Sequence, residues 1–211
     1  MSLLQRAILG RRVGRLVLEQ LNDFDLVILP DVFNPAVFRT TPLLLESVVA
    51  HVGGDRRVLD VGTGSGALAI QAAACGARVT AVDINPEAIR CARINATLNR
   101  VDDRVDLREG DLFEPLGGEM FDVVVCNPPF FQGTPGSALD AAWRSRDFLA
   151  RFCGGLESVV APGGCALVVF SNHADERGLL ARLASWRVAV DRSRALRNET
   201  ITVYRILRRE R

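Results

Sequence analysis

The chain has no lysine; all 26 of its basic residues are arginine. It has two histidines, His51 and His173, and its five cysteines (75, 91, 126, 153 and 165) form no Cys-x-x-Cys pair. So few histidines leave a histidine-based metal centre or a histidine-centred triad poorly supplied. An odd cysteine count at irregular spacing argues for reduced, buried thiols rather than disulfides or zinc, and no metal is expected. No apolar run approaches the ~20 residues that cross a bilayer. The basic N-terminal stretch, with Arg6, Arg11, Arg12 and Arg15, lacks the apolar core of a signal peptide, so a cytoplasmic protein is expected. A net charge of +1 excludes a general polyanion binder. Arginines gather near the N-terminus and over Arg187–Arg211; they read as solvated faces, with an acidic-partner or RNA-facing role as the alternative.

The 211 residues are enough for one domain with a full core. We expect a single unit over 1–211, made of an accessory helix at 1–22, a pre-core segment at 23–55 and a catalytic core at 56–211. Leu3 to Leu21 is amphipathic and reads as a helix, and 24–33 as a short strand and turn. Thr40, Thr41 and Pro42 open a helix that Gly53 and Gly54 close. From Arg56 the pattern alternates. Strands are expected at 56–61, 77–84, 104–112, 121–126 and 165–171, with helices at 65–76, 85–99, 139–160 and 174–186. The long helix is expected to bend at Gly154-Gly155, and Pro162-Gly163-Gly164 to form a turn. Two final strands lack a helix between them. Strands separated by helices mean βαβ units, so the expected fold is α/β and Rossmann-like: a mostly parallel seven-stranded sheet with an antiparallel last strand and helices on both faces.

The first motif is VLDVGTGSGAL, where a strand ends at Asp60 and Gly62, Gly64 and Gly66 form the turn into a helix. Ligands of such sheets bind beyond the carboxyl ends of the strands, where glycines let the backbone approach closely. Gly62, Gly64 and Ala67 fit the dinucleotide G-x-G-x-x-A, whereas Gly62, Gly64 and Gly66 fit the G-x-G-x-G of S-adenosylmethionine (SAM) sites. Asp83 ends the second strand, where an acid binds ribose hydroxyls in either case. Asp60 favours SAM, because a carboxylate here would repel a pyrophosphate but attract a sulfonium and an amino group. Asp111, in REGDLFEP, is suited to accept from an adenine amine. An NAD-binding oxidoreductase stays as the alternative if Asp60 does not face the cofactor.

The second motif is VVVCNPPFFQG, an apolar strand that ends in Asn127, two prolines and two phenylalanines. Prolines remove donors and fix φ, which makes a stiff exit. Together DVGTGSG, AVDINPEAIRCARINATLN, REGDLFEP and NPPF resemble the class I SAM-dependent methyltransferases of the N-methylating type, and within them the short branch of the HemK-related protein glutamine methyltransferases. The resemblance covers about residues 30 to 207. It implies that Asp60, Gly62, Thr63, Gly64, Gly66, Asp83, Ile84, Asp111, Leu112 and Asn127 bind SAM. It further implies that the Asn127 side-chain carbonyl and the Pro128 carbonyl grip the two hydrogens of a planar nitrogen while Phe130 stacks on its plane. An amide or exocyclic amine is a poor nucleophile, so orienting its lone pair matters more than a strong base.

The acceptor is less defined. DVFNPAVFRTTPLLLESV, SALDAAWRSRDFLARF and RNETITVYRIL resemble segments of the glutamine-methylating branch, which implies a protein acceptor such as a release factor. Ala141-Ala142 stand where that family has a double glycine, and Val37, Phe38 and Arg39 replace its usual acids. NPPFFQG sits closer to the RNA guanine-N2 and adenine-N6 enzymes, for which Arg144 and Arg146 could supply a basic approach. A small-molecule acceptor is a further option if Phe131, Trp143 and Phe148 line a compact pocket instead of packing in the core. His173 is expected as a neighbour of a helix N-cap. A non-catalytic partner of this fold would be expected to have lost Asn127, Asp60, Asp83 or Asp111, and here all four are present.

Overall fold

A computed structural model describes residues 12–209. Seven strands form one sheet: β3 (Arg57–Val61), β4 (Arg78–Asp83), β5 (Val105–Glu109), β6 (Phe121–Cys126), β9 (Val160–Ser171), β10 (Arg187–Ala195) and β11 (Thr200–Leu207). They lie in the order β10-β11-β9-β6-β3-β4-β5. The β3–β4, β3–β6, β4–β5 and β6–β9 ladders are parallel, and β11 runs antiparallel to both β9 and β10. This is the Rossmann-like arrangement expected from the alternation of apolar strands and helices.

Period-two alternation decides which helix covers which face. Val58, Val79, Val123, Val125, Leu167 and Val203 point to one side. There α1 (Thr40–His51), α2 (Ala67–Ala74) and α3 (Pro86–Leu98) cover them. Leu59, Val61, Val124, Cys126, Val168 and Ile206 point to the other side, beneath α5 (Phe148–Val159) and α6 (Glu176–Arg182). All six of these strand residues are 0–1 % exposed, as strands sandwiched between helix layers require. Asn85 caps α3 as its sequence suggests, accepting from the Glu87 N–H at 3.0 Å, with Pro86 at the first helical position.

Five expectations need correction. Val17–Leu21 is a strand, β1, paired antiparallel with β2 (Phe24–Ile28) through Asn22, whose φ is 53°. The helical reading of this stretch fails because pairing with β2 and burial of Leu21 against the core override its helical periodicity; the residues before Arg12 lie outside the described residues. The helix expected at 139–160 is interrupted. It becomes α4 (Ala138–Ala141), a two-residue strand β8 (Arg144–Ser145) and α5, because β8 pairs with β7 (Phe131–Gln132) just after the proline corner. The bonds are Phe131 N–H to Trp143 O at 2.8 Å and Gly133 N–H to Ser145 O at 3.2 Å. Pro162-Gly163-Gly164 lies within β9, where the β6 ladder slips from Phe121↔Val160 to Val123↔Cys165. The helix expected at 174–186 is shortened to α6, with Asp175 capping it through the Gly178 N–H at 2.9 Å.

Gly154 and Gly155 do not bend α5, which runs through both. A Cβ on Gly155 would stand 2.5 Å from the Phe113 ring, whereas one on Gly154 would meet nothing within 4 Å. The pair is therefore half packing requirement and half unused helix propensity. Gly155→Ala should destabilise the protein by about 1–3 kcal/mol through overpacking. Gly154→Ala should instead stabilise it by about 0.5–1 kcal/mol. Urea unfolding of the two variants checks both signs.

Candidate active site

The carboxyl ends of β3, β4 and β6 open into a cavity of about 890 Å³. Ten of the twelve residues expected to bind cofactor or acceptor line it: Gly62, Thr63, Gly64, Asp83, Ile84, Asp111, Leu112, Asn127, Pro128 and Phe130. Asp60 and Gly66 do not. Asp60 is fully buried one layer behind the turn, and Gly66 packs against α3.

The glycines have separate jobs. Gly62 (φ 72°) and Gly64 (φ 56°) adopt left-handed backbone, and a Cβ on either would project into open space. They keep the cavity wall bare so that a ligand can lie against the backbone. Gly66 (φ 84°) would place a Cβ 3.0 Å from that of Ala92, so its absence of side chain lets α2 and α3 meet. The turn is held by Gly62 and Thr63 N–H bonds to Val82 O at 2.9 and 3.0 Å. Asn95, fully buried on α3, adds a tie that sequence reading missed. Its amide donates to Ser65 O at 2.9 Å and Val27 O at 2.8 Å, and accepts from the Val27 N–H at 2.7 Å.

Two carboxylates, Asp83 and Asp111, line this half of the cavity, and a third, Asp60, is buried behind it. Asp83 accepts the Gly64 and Asn85 N–H groups, both at 2.9 Å, leaving lone pairs on each oxygen for further donors. Burial nevertheless pushes its pKa up. Asp111 is bound by the Arg151 guanidinium at 2.8 Å, a partner no motif announces. Asp60 accepts from the Thr63 hydroxyl at 2.7 Å on one oxygen, while its other oxygen is buried without a partner. Burial lifts its pKa from 3.8 to about 7, with the nearby Asp83 charge adding to the rise and the Thr63 bond opposing it. Asp60 is outside the cavity lining, so it can act on a cationic ligand only as a field through the turn and not as a contact, whereas Asp83, on the cavity wall with an acceptor free on each oxygen, suits a ribose. The residues present therefore fit SAM.

The other half of the cavity belongs to the corner. The Asn127 Nδ2 group points at the hydroxyls of Thr41 (3.2 Å) and Thr40 (3.4 Å), both buried in the first turn of α1. These threonines read in the sequence only as a helix start. Phe130 meets the Phe170 ring edge-on at 5.8 Å and bridges both core layers. Phe33 and Phe38 stack at 5.0 Å, and Trp143 meets them edge-on at 4.9 and 4.3 Å, forming an aromatic wall. Phe148 both lines the cavity and stacks on Phe152 at 5.7 Å. Arg144 and Arg146 are engaged within their own loop: Arg144 with Asp140 at 3.5 Å and Gln132 O at 3.3 Å, Arg146 with Thr134 at 2.6 Å. His173 bonds Asn198 O at 2.7 Å and does not line the cavity. His51, at the far end of α1, bonds Asp191 on β10 at 2.6 Å.

Comparison with known proteins agrees with this geometry. Residues 23–193 match the methyltransferase small domain family. A protein of Methanocaldococcus jannaschii, provisionally named a protein N5-glutamine methyltransferase, is 33% identical over 163 residues, covering 73% of this chain and 79% of its own. The release factor glutamine methyltransferase of Geobacter sulfurreducens is 32% identical over 184 residues, covering 77% of this chain and 63% of the relative. Among solved structures, a T. thermophilus 16S rRNA guanine-N2 methyltransferase superposes with a TM-score of 0.68 at 24% identity, over 92% of this chain and 50% of that one. The chain spans less than two thirds of the length of most curated relatives it matches, down to 30% for one of them. It belongs to the methyltransferase small domain family of class I SAM-dependent methyltransferases.

Because Asp60 holds its proton in the folded state up to about pH 7 but releases it near 3.8 when unfolded, stability is fully present below 3.8 and falls as pH rises to about 7. Above that pH the cost of a buried charge is complete. Asp60→Asn should raise the Tm at about pH 8, with the gain vanishing toward about pH 4, while weakening SAM binding. Melting curves across that range, paired with calorimetric SAM titration, check both effects.

Proposed function

We propose that this methyltransferase of the small domain family methylates the side-chain amide nitrogen of a protein glutamine, with a release factor as its acceptor. The observation that carries the reading is the anchoring of Asn127. With Nδ2 spent on Thr40 and Thr41, the Asn127 Oδ1 is left as the acceptor that faces away from α1. SAM supplies an electrophilic methyl group on its sulfonium when bound. Asp83 serves the ribose, Asp111 and Leu112 the adenine, Gly62, Thr63, Gly64 and Ile84 the walls, and Asp60 the cationic end from behind the turn.

On the acceptor side, Asn127 Oδ1 and Pro128 O each take one hydrogen of the amide. A primary amide gripped through both hydrogens cannot rotate, and its lone pair is held at the methyl. The two carbonyl dipoles also stabilise the positive charge that grows on nitrogen. Pro128 and Pro129 keep the corner from drifting, and Phe130 covers the amide plane. The identity to glutamine methyltransferases at 32–33% supports the amide acceptor. Arg144 is turned toward Asp140 within its own loop, whereas Arg146 is exposed with only the neutral Thr134 hydroxyl as partner, so this loop does not separate an RNA acceptor from a protein one.

Transfer of tritium from labelled SAM to a recombinant release factor, with RNA as the parallel acceptor, tests the reading. Label on RNA alone would refute it. Asn127→Ala should lower kcat by about 10²–10³-fold with SAM affinity retained. Thr41→Val should lower kcat by about tenfold, since it removes the shorter of the two hydrogen bonds that orient the amide, and Thr41→Ser should restore it. Single-turnover rates with equilibrium SAM binding separate these effects from loss of cofactor.

A further inference from the structure

Glu199 lines the cavity from the opposite wall, at the start of β11, and the methyl-transfer chemistry above makes no use of it. It is nonetheless held firmly. The Ser171 hydroxyl donates to its Oε1 at 2.6 Å. The backbone on both sides is fixed as well: Leu196 N–H to Glu199 O at 2.7 Å, Asn172 N–H to Thr200 O at 3.0 Å, and Thr200 N–H to the Asn172 side chain at 3.0 Å. His173, bound to Asn198 O, closes the same knot. Among the described residues, no group bonds the second oxygen, Oε2.

The sheet register puts this carboxylate beside the corner. β9 runs parallel to β6 with Cys126 opposite Val168, so Ser171 ends β9 level with the Asn127–Pro129 exit. Neighbouring strands stand roughly 5 Å apart. The carboxylate that Ser171 holds comes from the β11 side, two strands from β6, and so lies between one and two strand spacings from the carbonyls that grip the acceptor, flanked by the apolar Leu196 and Ile201. A fixed anion at that distance is too far to share the gripped nitrogen. It is well placed for a donor on the same acceptor molecule.

We infer that Glu199 is a specificity-determining residue whose Oε2 accepts a backbone N–H of the acceptor peptide next to the methylated glutamine. This rests on the glutamine reading above. A peptide presents N–H donors at every non-proline residue, so a carboxylate beside the grip selects a protein main chain. The same charge repels the phosphodiesters of a polynucleotide. Ser171 is then a positioning residue, because it keeps the carboxylate from swinging out to solvent.

The test uses the full-length enzyme with recombinant release factor and labelled SAM. Glu199→Ala should raise KM for the release factor by about tenfold or more, the scale of one charged hydrogen bond, with kcat and SAM affinity unchanged. Glu199→Gln keeps an acceptor oxygen and should recover most of the loss, and Ser171→Ala should raise KM without adding to the effect of Glu199→Ala. A synthetic peptide spanning the labelled glutamine, and its analogue with ester oxygens in place of the flanking backbone N–H groups, gives the decisive comparison. The ester should raise KM for the native enzyme but not for Glu199→Ala; should that variant fail to fold, Glu199→Leu, which also lacks the acceptor oxygens, takes its place in the comparison. An unchanged KM in Glu199→Ala, or an equal ester penalty in both enzymes, overturns the inference and leaves the glutamine reading standing. Transfer to RNA with none to the release factor overturns both.

Discussion

The side-chain amide of Asn95 carries the tie on which the cavity depends. It is fully buried, and it joins three segments far apart in sequence: α3, the glycine turn at Ser65, and β2 at Val27. A buried amide with its hydrogens and oxygen all bonded is worth keeping, because losing it would strand a backbone N–H and two carbonyls away from water. Through it the pre-core hairpin is locked to the core. That lock leaves the cavity walled by Phe33 and Phe38 on one side and by the corner on the other.

Function in this fold comes from asymmetry around one edge of a parallel sheet. The β3 and β4 ends present bare backbone and carboxylates, which suit a cation and a ribose. The β6 end presents carbonyls made rigid by two prolines. Between them, Asp60 is buried at a cost to stability, because its charge is desolvated and one oxygen has no partner. Protonation relieves that cost below about pH 7, which makes the site sensitive to pH.

Much of this could be read from the chain. The strand–turn–helix at Asp60 to Ala67, the acid at Asp83 and the stiff exit at Asn127 are local patterns, because each depends on φ freedom, charge or a missing donor within a few residues. The misreadings share one cause. Residues 17–21 have helical periodicity but pair as a strand, residues 143–145 leave a helix to pair beyond the corner, and Gly155 reads as a bend but is a packing contact with Phe113. In each case a partner distant in sequence overrides the local preference.

By itself, then, the sequence determined the sheet, its parallel character, the glycine turn and the chemical identity of the corner, since these follow from hydrophobic period and from residue types at short spacing. The tertiary structure alone decided how those parts are aimed. Thr40 and Thr41, 87 and 86 residues from Asn127, orient its amide; Arg151 binds Asp111 across 40 residues; Ser171 and Glu199 meet across 28. Orientation is a property of contacts between strands and helices, and neither side chain of such a pair carries any mark of the other in its own neighbourhood.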